Sequence, residues 1–536
     1  MYSRIQFASR RLLVGAAVAV ALGVSAMTVD AATLRWAGRG DMQTTDPHSQ
    51  NENLTNNINS LVYEFLLVRD KTLGLQPALA ESWTQTSPTT WRFKLRPGVK
   101  FHDGTPFTAD DVVFSFERAR SDTSQLRVYA NASGIPKKID DLTVEFTNTS
   151  GPNPIELEHI ATINIMSKAW SEKNRATKPQ NFTQKEEMIT ARQANGTGPY
   201  SLKAREPDVK TVLVKNPNWW GIKAGRWEGN ADEVIYTPIV SDATRVAALI
   251  SGEVDLVNDP PPHDVPRLAQ TPGIRILEGT ENRIVFIGMD QFRDELLYSN
   301  VKGKNPLKDK RVREALYYAI DIEAIKKNTM RGLANPSGAM LPSPLQTSPE
   351  IEKRLPYDKE RAKKLLADAG YPNGFEITLD CPNNRYINDE KICQALAAMW
   401  SQVGVATKVN AMPRAVYFPK LEKNDTSMYM LGWGGATTDA IFILQPVLST
   451  KNGKGDGDYN YGRYTNAKLD DLLAQIKVNM NADQRLKDIH AALLAHNAET
   501  NHIPLHRQVI PWAERANVSA VHRADNQVMP YWVTIK

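Results

Sequence analysis

Three groups of side chains in this sequence have types and spacings that could do chemistry. Cys381 and Cys393 lie twelve residues apart. The first falls at the end of a strand expected over residues 375–380, the second in the first turns of a helix expected from Asn388 onward. In an oxidising compartment the pair is expected to form a disulfide, the alternative being two buried thiols. Closing so short a loop would contribute ~2–3 kcal/mol. His502 and His506 flank Ile503-Pro504-Leu505 and on a strand would face one side. Two imidazoles would suit nickel, but no third ligand accompanies them, so they read as structural and no metal site is assigned. Asp110 and Asp111 follow Thr108 in the pattern of a capping box, so they read as helix caps and not as a catalytic pair.

Signatures of covalent catalysis are missing. The sequence has no G-x-S-x-G, no H-E-x-x-H, no G-x-x-x-x-G-K-[ST] and no Rossmann glycine fingerprint. No enzyme, catalytic residue or cofactor is expected. Without a phosphate loop, any ATP-driven process involving this chain needs a separate ATPase.

The elements that would position these groups alternate between helix and strand. Residues 33–37 predict a first strand, and helical periodicity follows around residues 58–67. The alternation from Trp83 to Phe101 reads as a half-buried strand. Further strands are expected over residues 142–146, 211–215, 233–238, 254–257, 375–379 and 405–409. Helices are expected from Asp242 to a stop at Gly252, between Asp309 and Asp321, between Asp358 and Gly370, and over residues 392–400. Pro260-Pro261-Pro262 must be loop. This is a mixed α/β organisation, without solenoid repeats or low-complexity segments.

Composition agrees with a soluble globular chain of several structural units: 536 residues, 41% hydrophobic and 23% charged. One apolar stretch stands out. Arg4, Arg10 and Arg11 precede an uncharged run over residues 12–28, and Val29-Asp30-Ala31 offers a small-residue cleavage site. This predicts a secretory signal over residues 1–31, read by Sec or, through Arg10-Arg11, by the twin-arginine route. No cysteine lies near the cleavage site to carry a lipid. Removing the segment takes the formal charge from +5 to +3, and no Lys/Arg block remains, so nucleic acid is not an expected partner. A periplasmic location follows.

Several runs, in order along the chain, resemble the peptide/nickel class of ABC-transporter solute-binding proteins, extracellular family 5. They are residues 76–83; residues 93–115, with Phe101-His102-Asp103-Gly104; Gly196-Thr197-Gly198-Pro199-Tyr200; Asn216-Pro217-Asn218-Trp219-Trp220-Gly221; Gly252-Glu253-Val254-Asp255; and residues 306–316. The resemblance implies two α/β lobes joined by two crossing strands, near residues 283–286 and 502–510. Lobe I would span residues 32–283, with an extra subdomain at about 60–190, and return over 506–536; lobe II would span 284–505. It also implies a monomer that closes on a small-molecule or peptide ligand and docks on inner-membrane permease subunits.

The same resemblance implies site residues. Arg385 stands where dipeptide binders hold the ligand carboxylate, and a guanidinium fork suits that group. Tyr386 follows it. Trp433, flanked by glycines, is expected to line the cleft, with Thr437 beyond it. Ala436 stands where the family aspartate holds a peptide's α-ammonium, and a methyl group cannot replace that charge. Asp439, three residues on, could substitute. Asp46, Asn282 and Arg283 fall in cleft-facing regions. Opines, blocked peptides, small glycosides and metal chelates remain open as ligands, and a hydrolase or a chemoreceptor-coupled binder is the more distant alternative.

Overall fold

The computed structural model describes residues 32–181, 188–343, 346–383, 385–434, 437–453 and 456–536, with backbone only for Arg414 and Ala415. The signal expected over residues 1–31 and the position of Ala436 lie outside the described residues.

One eleven-stranded sheet organises the chain. Its strands are β1 (Ala32–Gly38), β2 (Tyr200–Glu206), β3 (Lys210–Lys215), β4 (Ala231–Pro238), β5 (Leu256–Val257), β6 (Ile274–Met289), β7 (Ala334–Pro336), β8 (Phe375–Pro382), β9 (Val405–Met412), β10 (Met428–Gly434) and β11 (His502–Arg515). The spatial order is β9-β8-β10-β6-β11-β5-β1-β4-β3-β2, with β7 pairing on β11. At the centre, β6 and β11 run antiparallel along nearly their full lengths. One end of this pair belongs to the wing containing β1–β5, because β11 also pairs with β5. The other end belongs to the wing containing β8–β10, because β6 pairs with β10 over residues 283–289.

These elements form for local reasons. In β1, Leu34 and Trp36 alternate into the core and are fully buried. The Asp389–Ser401 helix turns Ile392, Cys393, Leu396 and Trp400 inward at helical spacing. Asp309 and Asp358 cap the helices Lys310–Tyr318 and Lys359–Asp368, accepting from Arg311 and Arg361 N–H at 2.9 Å. Gly252 ends the helix Asp242–Ser251 with φ +84°, a conformation open to glycine. That helix is capped one residue earlier than the sequence suggests, by the Ser241 hydroxyl. The alternation from Trp83 onward resolves into two strands, Ala80–Ser87 and Thr90–Leu95, because a tight turn at Pro88-Thr89 folds it back on itself.

Those two strands belong to a separate four-stranded sheet with Thr143–Thr147 and Ile135–Asp140. Phe93, Phe116 and Phe146 form its core by edge-to-face contacts. This insert also carries α2 (Ala109–Ala119) and the short α3 (Glu156–Ile160), while α1 (Asn53–Val62) precedes it. The expected cap on α2 is present: the Asp111 carboxylate accepts from Thr108 N–H at 2.9 Å. On the second wing lie α4 (Asp389–Ser401) and α5 (Arg414–Glu422).

Candidate functional site

The β6–β11 ladder shifts register twice, and the larger break falls at a decisive place. Thr280 pairs with Val509 and Ile284 with Arg507, so β6 spends two more residues than β11 over the same span. Glu281, Asn282 and Arg283 leave the ladder there and line a cavity of about 1540 Å³ between the two wings. Asn282 is held on both sides: its N–H donates to Ala524 O at 2.7 Å and its amide to Thr437 O at 3.3 Å. Arg283 pairs with Glu281 at 3.0 Å.

Arg385 reaches the same cavity from the loop after β8. That loop is braced twice. Cys381, at the end of β8, is disulfide-bonded to Cys393 in α4, with the Cα atoms 6.6 Å apart. The Asp389 carboxylate, in the first turn of α4, accepts from the N–H groups of Arg385 and Tyr386 at 2.9 and 3.0 Å. The Arg385 guanidinium lies over the Tyr386 ring at 5.2 Å. Tyr386 is buried behind it and donates to Gly432 O. Gly432 must be glycine here, because a Cβ would come within 2.5 Å of the Tyr386 ring. Replacing both cysteines by serine is expected to lower unfolding free energy by about 2–3 kcal/mol. Hydrogen exchange should also quicken at the amides of Arg385 and Tyr386, and unchanged exchange there would show that Asp389 alone sets the loop.

Of the expected site residues, the structure brings Arg385, Asn282, Arg283 and Thr437 to one cavity. Trp433, Asp439, Asp46 and the Tyr386 ring stand off it. Trp433 is half-buried on the opposite face of β10 from Gly434, which does line the cavity. Its indole donates to Phe442 O and its ring packs on Tyr459. Asp439 is clamped bidentately by Arg485 at 2.6 and 2.7 Å, so its charge is already satisfied inside the second wing. Asp46 is fully buried and paired with Arg118 at 2.6 and 2.8 Å. Burial works against its charge, but Arg118 overrides that and holds its pKa down at about 2. His502 packs on His496, Nδ1 to Nε2 at 2.9 Å, and His506 is fully buried. Among the described residues, no group of three or more His, Cys, Asp or Glu is placed to hold a metal.

The cavity contains residues that sequence reasoning missed. Glu64 lies at its floor, accepting from the indole N–H of Trp219 at 3.0 Å and of Trp220 at 2.9 Å. Burial pushes its pKa up to about 7 against those hydrogen bonds. Arg226 lies 5.0 Å from the Trp220 ring, and Phe418 and Glu422 of α5 line the second wing's side. The Trp219-Trp220 pair was a usable signal, since buried indole N–H groups need an acceptor. Nothing in sequence indicated that Glu64 supplies it. Acids and arginines from both wings thus face one roomy space, an arrangement suited to holding a polar, charged solute by many hydrogen bonds.

The chain has relatives among known proteins. Residues 74–455 match the model of the bacterial extracellular solute-binding proteins, family 5. The glutathione-binding protein GsiB of Escherichia coli K12 is 29% identical over 453 residues, covering 82% of each chain. Among solved structures, HbpA2 from Haemophilus parasuis superposes with a TM-score of 0.78 at 24% identity, covering 94% of this chain and 100% of that one. The dipeptide binding protein of Pseudoalteromonas sp. SM9913, in complex with Met-Leu, gives 0.71 at 21%, covering 94% and 100%. The α/β two-lobed periplasmic binding protein fold expected from the sequence is therefore the fold of this chain. It belongs to the family 5 extracellular solute-binding proteins, the substrate-binding components of ABC importers.

Proposed function

We propose that this chain captures a peptide-like or other small polar solute with an anionic group, and delivers it without turnover to permease subunits driven by a separate ATPase. One observation carries this reading: the charged cavity opens where the central strand leaves its ladder, between the two wings, so closure there buries the ligand. The proposed lobes follow the crossing strands, residues 32–283 with 506–536 and residues 284–505. Export by the N-terminal signal, a periplasmic location and a monomeric state belong to the same reading.

Arg385 is the proposed partner of the ligand's anionic group, with Asn282 and Thr437 beside it. The ammonium of an ordinary dipeptide has no evident partner at Ala436, and Asp439 is committed to Arg485. The reading therefore favours a ligand that needs no free α-ammonium at that place. GsiB binds glutathione by its name, and solutes of that polarity fit the mixed charge of this cavity.

Native mass spectrometry of the protein from its own periplasm should show one retained solute per chain. With that solute as titrant, Arg385→Ala is expected to weaken binding by about 1.5–3 kcal/mol, the worth of a charge-assisted hydrogen bond. Calorimetry with unblocked dipeptides tests polarity: tight binding abolished by N-acetylation would mean that another residue holds the ammonium. Catalytic turnover of the retained solute would overturn the assignment as a binder.

A further inference from the structure

We propose that Ile155 and His159 of the insert, with Phe442 across the cleft, form a latch that holds the lobes closed without touching the ligand. The inference rests on the lobe closure proposed above. The edge of the His159 ring meets Phe442, with centroids 5.8 Å apart and planes at 70°. Ile155 is 6% exposed and packs into the hydrophobic cluster built by the second lobe and the crossing strand. Among the described residues, it is the only member of that cluster from before residue 284.

Both partners are aimed from behind. Phe442 O accepts from the Trp433 indole, and the turn before it is fixed by Asp439, which accepts from Ile441 N–H at 2.9 Å while Arg485 clamps its carboxylate. On the insert side, the His159 ring faces Tyr129 at 6.2 Å. None of the three latch residues lines the cavity, although their neighbours do: Ala161 and Thr162 on one side, Thr437 and Thr438 on the other. The contact therefore sits directly behind the ligand space.

Its chemistry is that of a contact built to part. Among the described residues, no hydrogen bond or ion pair joins the 155–160 segment to the 437–443 segment, so separation leaves no polar group stranded between them. The apolar surfaces are small and non-directional, and they re-form whenever the lobes approach. Trp433 and Asp439, which stand off the cavity, acquire a role here as positioning residues for closure.

Thiol labelling tests this without any ligand. The two native cysteines are bonded to each other, so His159→Cys introduces a unique thiol. Ser115→Cys, fully buried on α2 of the same insert, is the control that reports unfolding of the insert. In folded, ligand-free protein, iodoacetamide should modify His159→Cys at least 100-fold faster than Ser115→Cys. Adding Phe442→Ala should raise the His159→Cys rate at least fivefold further. Labelling at the control rate would show a permanent core contact, and no response to Phe442→Ala would show that Phe442 does not guard the site; either overturns the latch. If His159→Cys fails to fold, Phe442→Cys with and without His159→Ala reads the same contact from the other side. A failed solute screen would count against the proposed ligand class and leave this result untouched.

Discussion

Acidification below pH 6.5 is expected to unfold the protein, with loss of structure well advanced by pH 4. His48, His159, His496 and His506 are buried as neutral rings. Burial holds the pKa of each down at about 4, and burial together with the neighbouring His496 holds His502 well below its ordinary value. In the unfolded chain each returns to about 6.5. The unfolded state therefore binds more protons than the folded state between pH 6.5 and 4, and stability falls as pH falls through that window. A pKa depressed from 6.5 to about 4 corresponds to about 3 kcal/mol per histidine, so a few of them match the 5–15 kcal/mol that holds a typical domain together. Carboxyl groups raised by burial act in the opposite sense, Glu64 and Glu156 most strongly. Their pKa values lie at about 7 and about 8, so the folded state holds extra protons there and gains stability as pH falls from about 8 to about 4.5, where the unfolded carboxyls protonate too. The histidines outweigh them below about pH 6.5, so a stability maximum between about pH 6.5 and 7 follows. Urea midpoints from pH 8 to pH 4 measure it, and His506→Gln should flatten the acid limb. A midpoint constant between pH 6.5 and 4.5 would contradict this account.

Asp46→Ala is expected to destabilise the protein by about 3–5 kcal/mol, the cost of leaving one partner of a buried ion pair alone. Both side chains of the Asp46–Arg118 pair are 0% exposed. The carboxylate also accepts from Gln180 N–H, His48 N–H and the Thr190 hydroxyl, so it ties His48, Gln180 and Thr190 to α2. Arg118 would keep the carbonyls of Ala176 and Lys178 and the His48 ring Nδ1 at 3.0 Å, but no counter-charge. Denaturant titration should show the full loss in the single variant and substantial recovery in Asp46→Leu/Arg118→Met, where no charge remains buried. Asp46→Ala should leave binding stoichiometry unchanged, because Asp46 does not line the cavity. A loss below 1 kcal/mol would mean that the pair contributes little.

Asp46 also shows where sequence reading ran out. Its partner lies 72 residues away, and no local pattern announces that pairing. Asp439 and Arg485, 46 residues apart, repeat the lesson. Local features were legible because their causes are local: the caps at Asp309 and Asp358, the stop at Gly252, and a cysteine pair whose spacing bridges a strand end and a helix start. Arg385 was placed on the cavity by resemblance, and the loop geometry agrees with it. Trp433 was misplaced for a reason the strand period contains: its neighbour Gly434 lines the cavity, so residue 433 faces the other way. Glu64 and Arg226 could not be found at all, since only the tertiary structure brings the chain after α1 to the Trp219-Trp220 corner.

The central strand pair has a consequence for how the gene can be rearranged. The chain leaves β6 at Met289 and re-enters β11 at His502, and Gly288 pairs directly with His502. Everything between, more than 200 residues, departs from and returns to adjacent strands about 4.8 Å apart. This segment is thus a cassette with its two ends side by side. A relative's lobe could be spliced between those points without changing the entry or exit geometry, as domain insertions require. The cassette's share of the cavity lining, Arg385, Phe418, Glu422 and Thr437 among it, would travel with it, and the rest of the lining would stay unaltered.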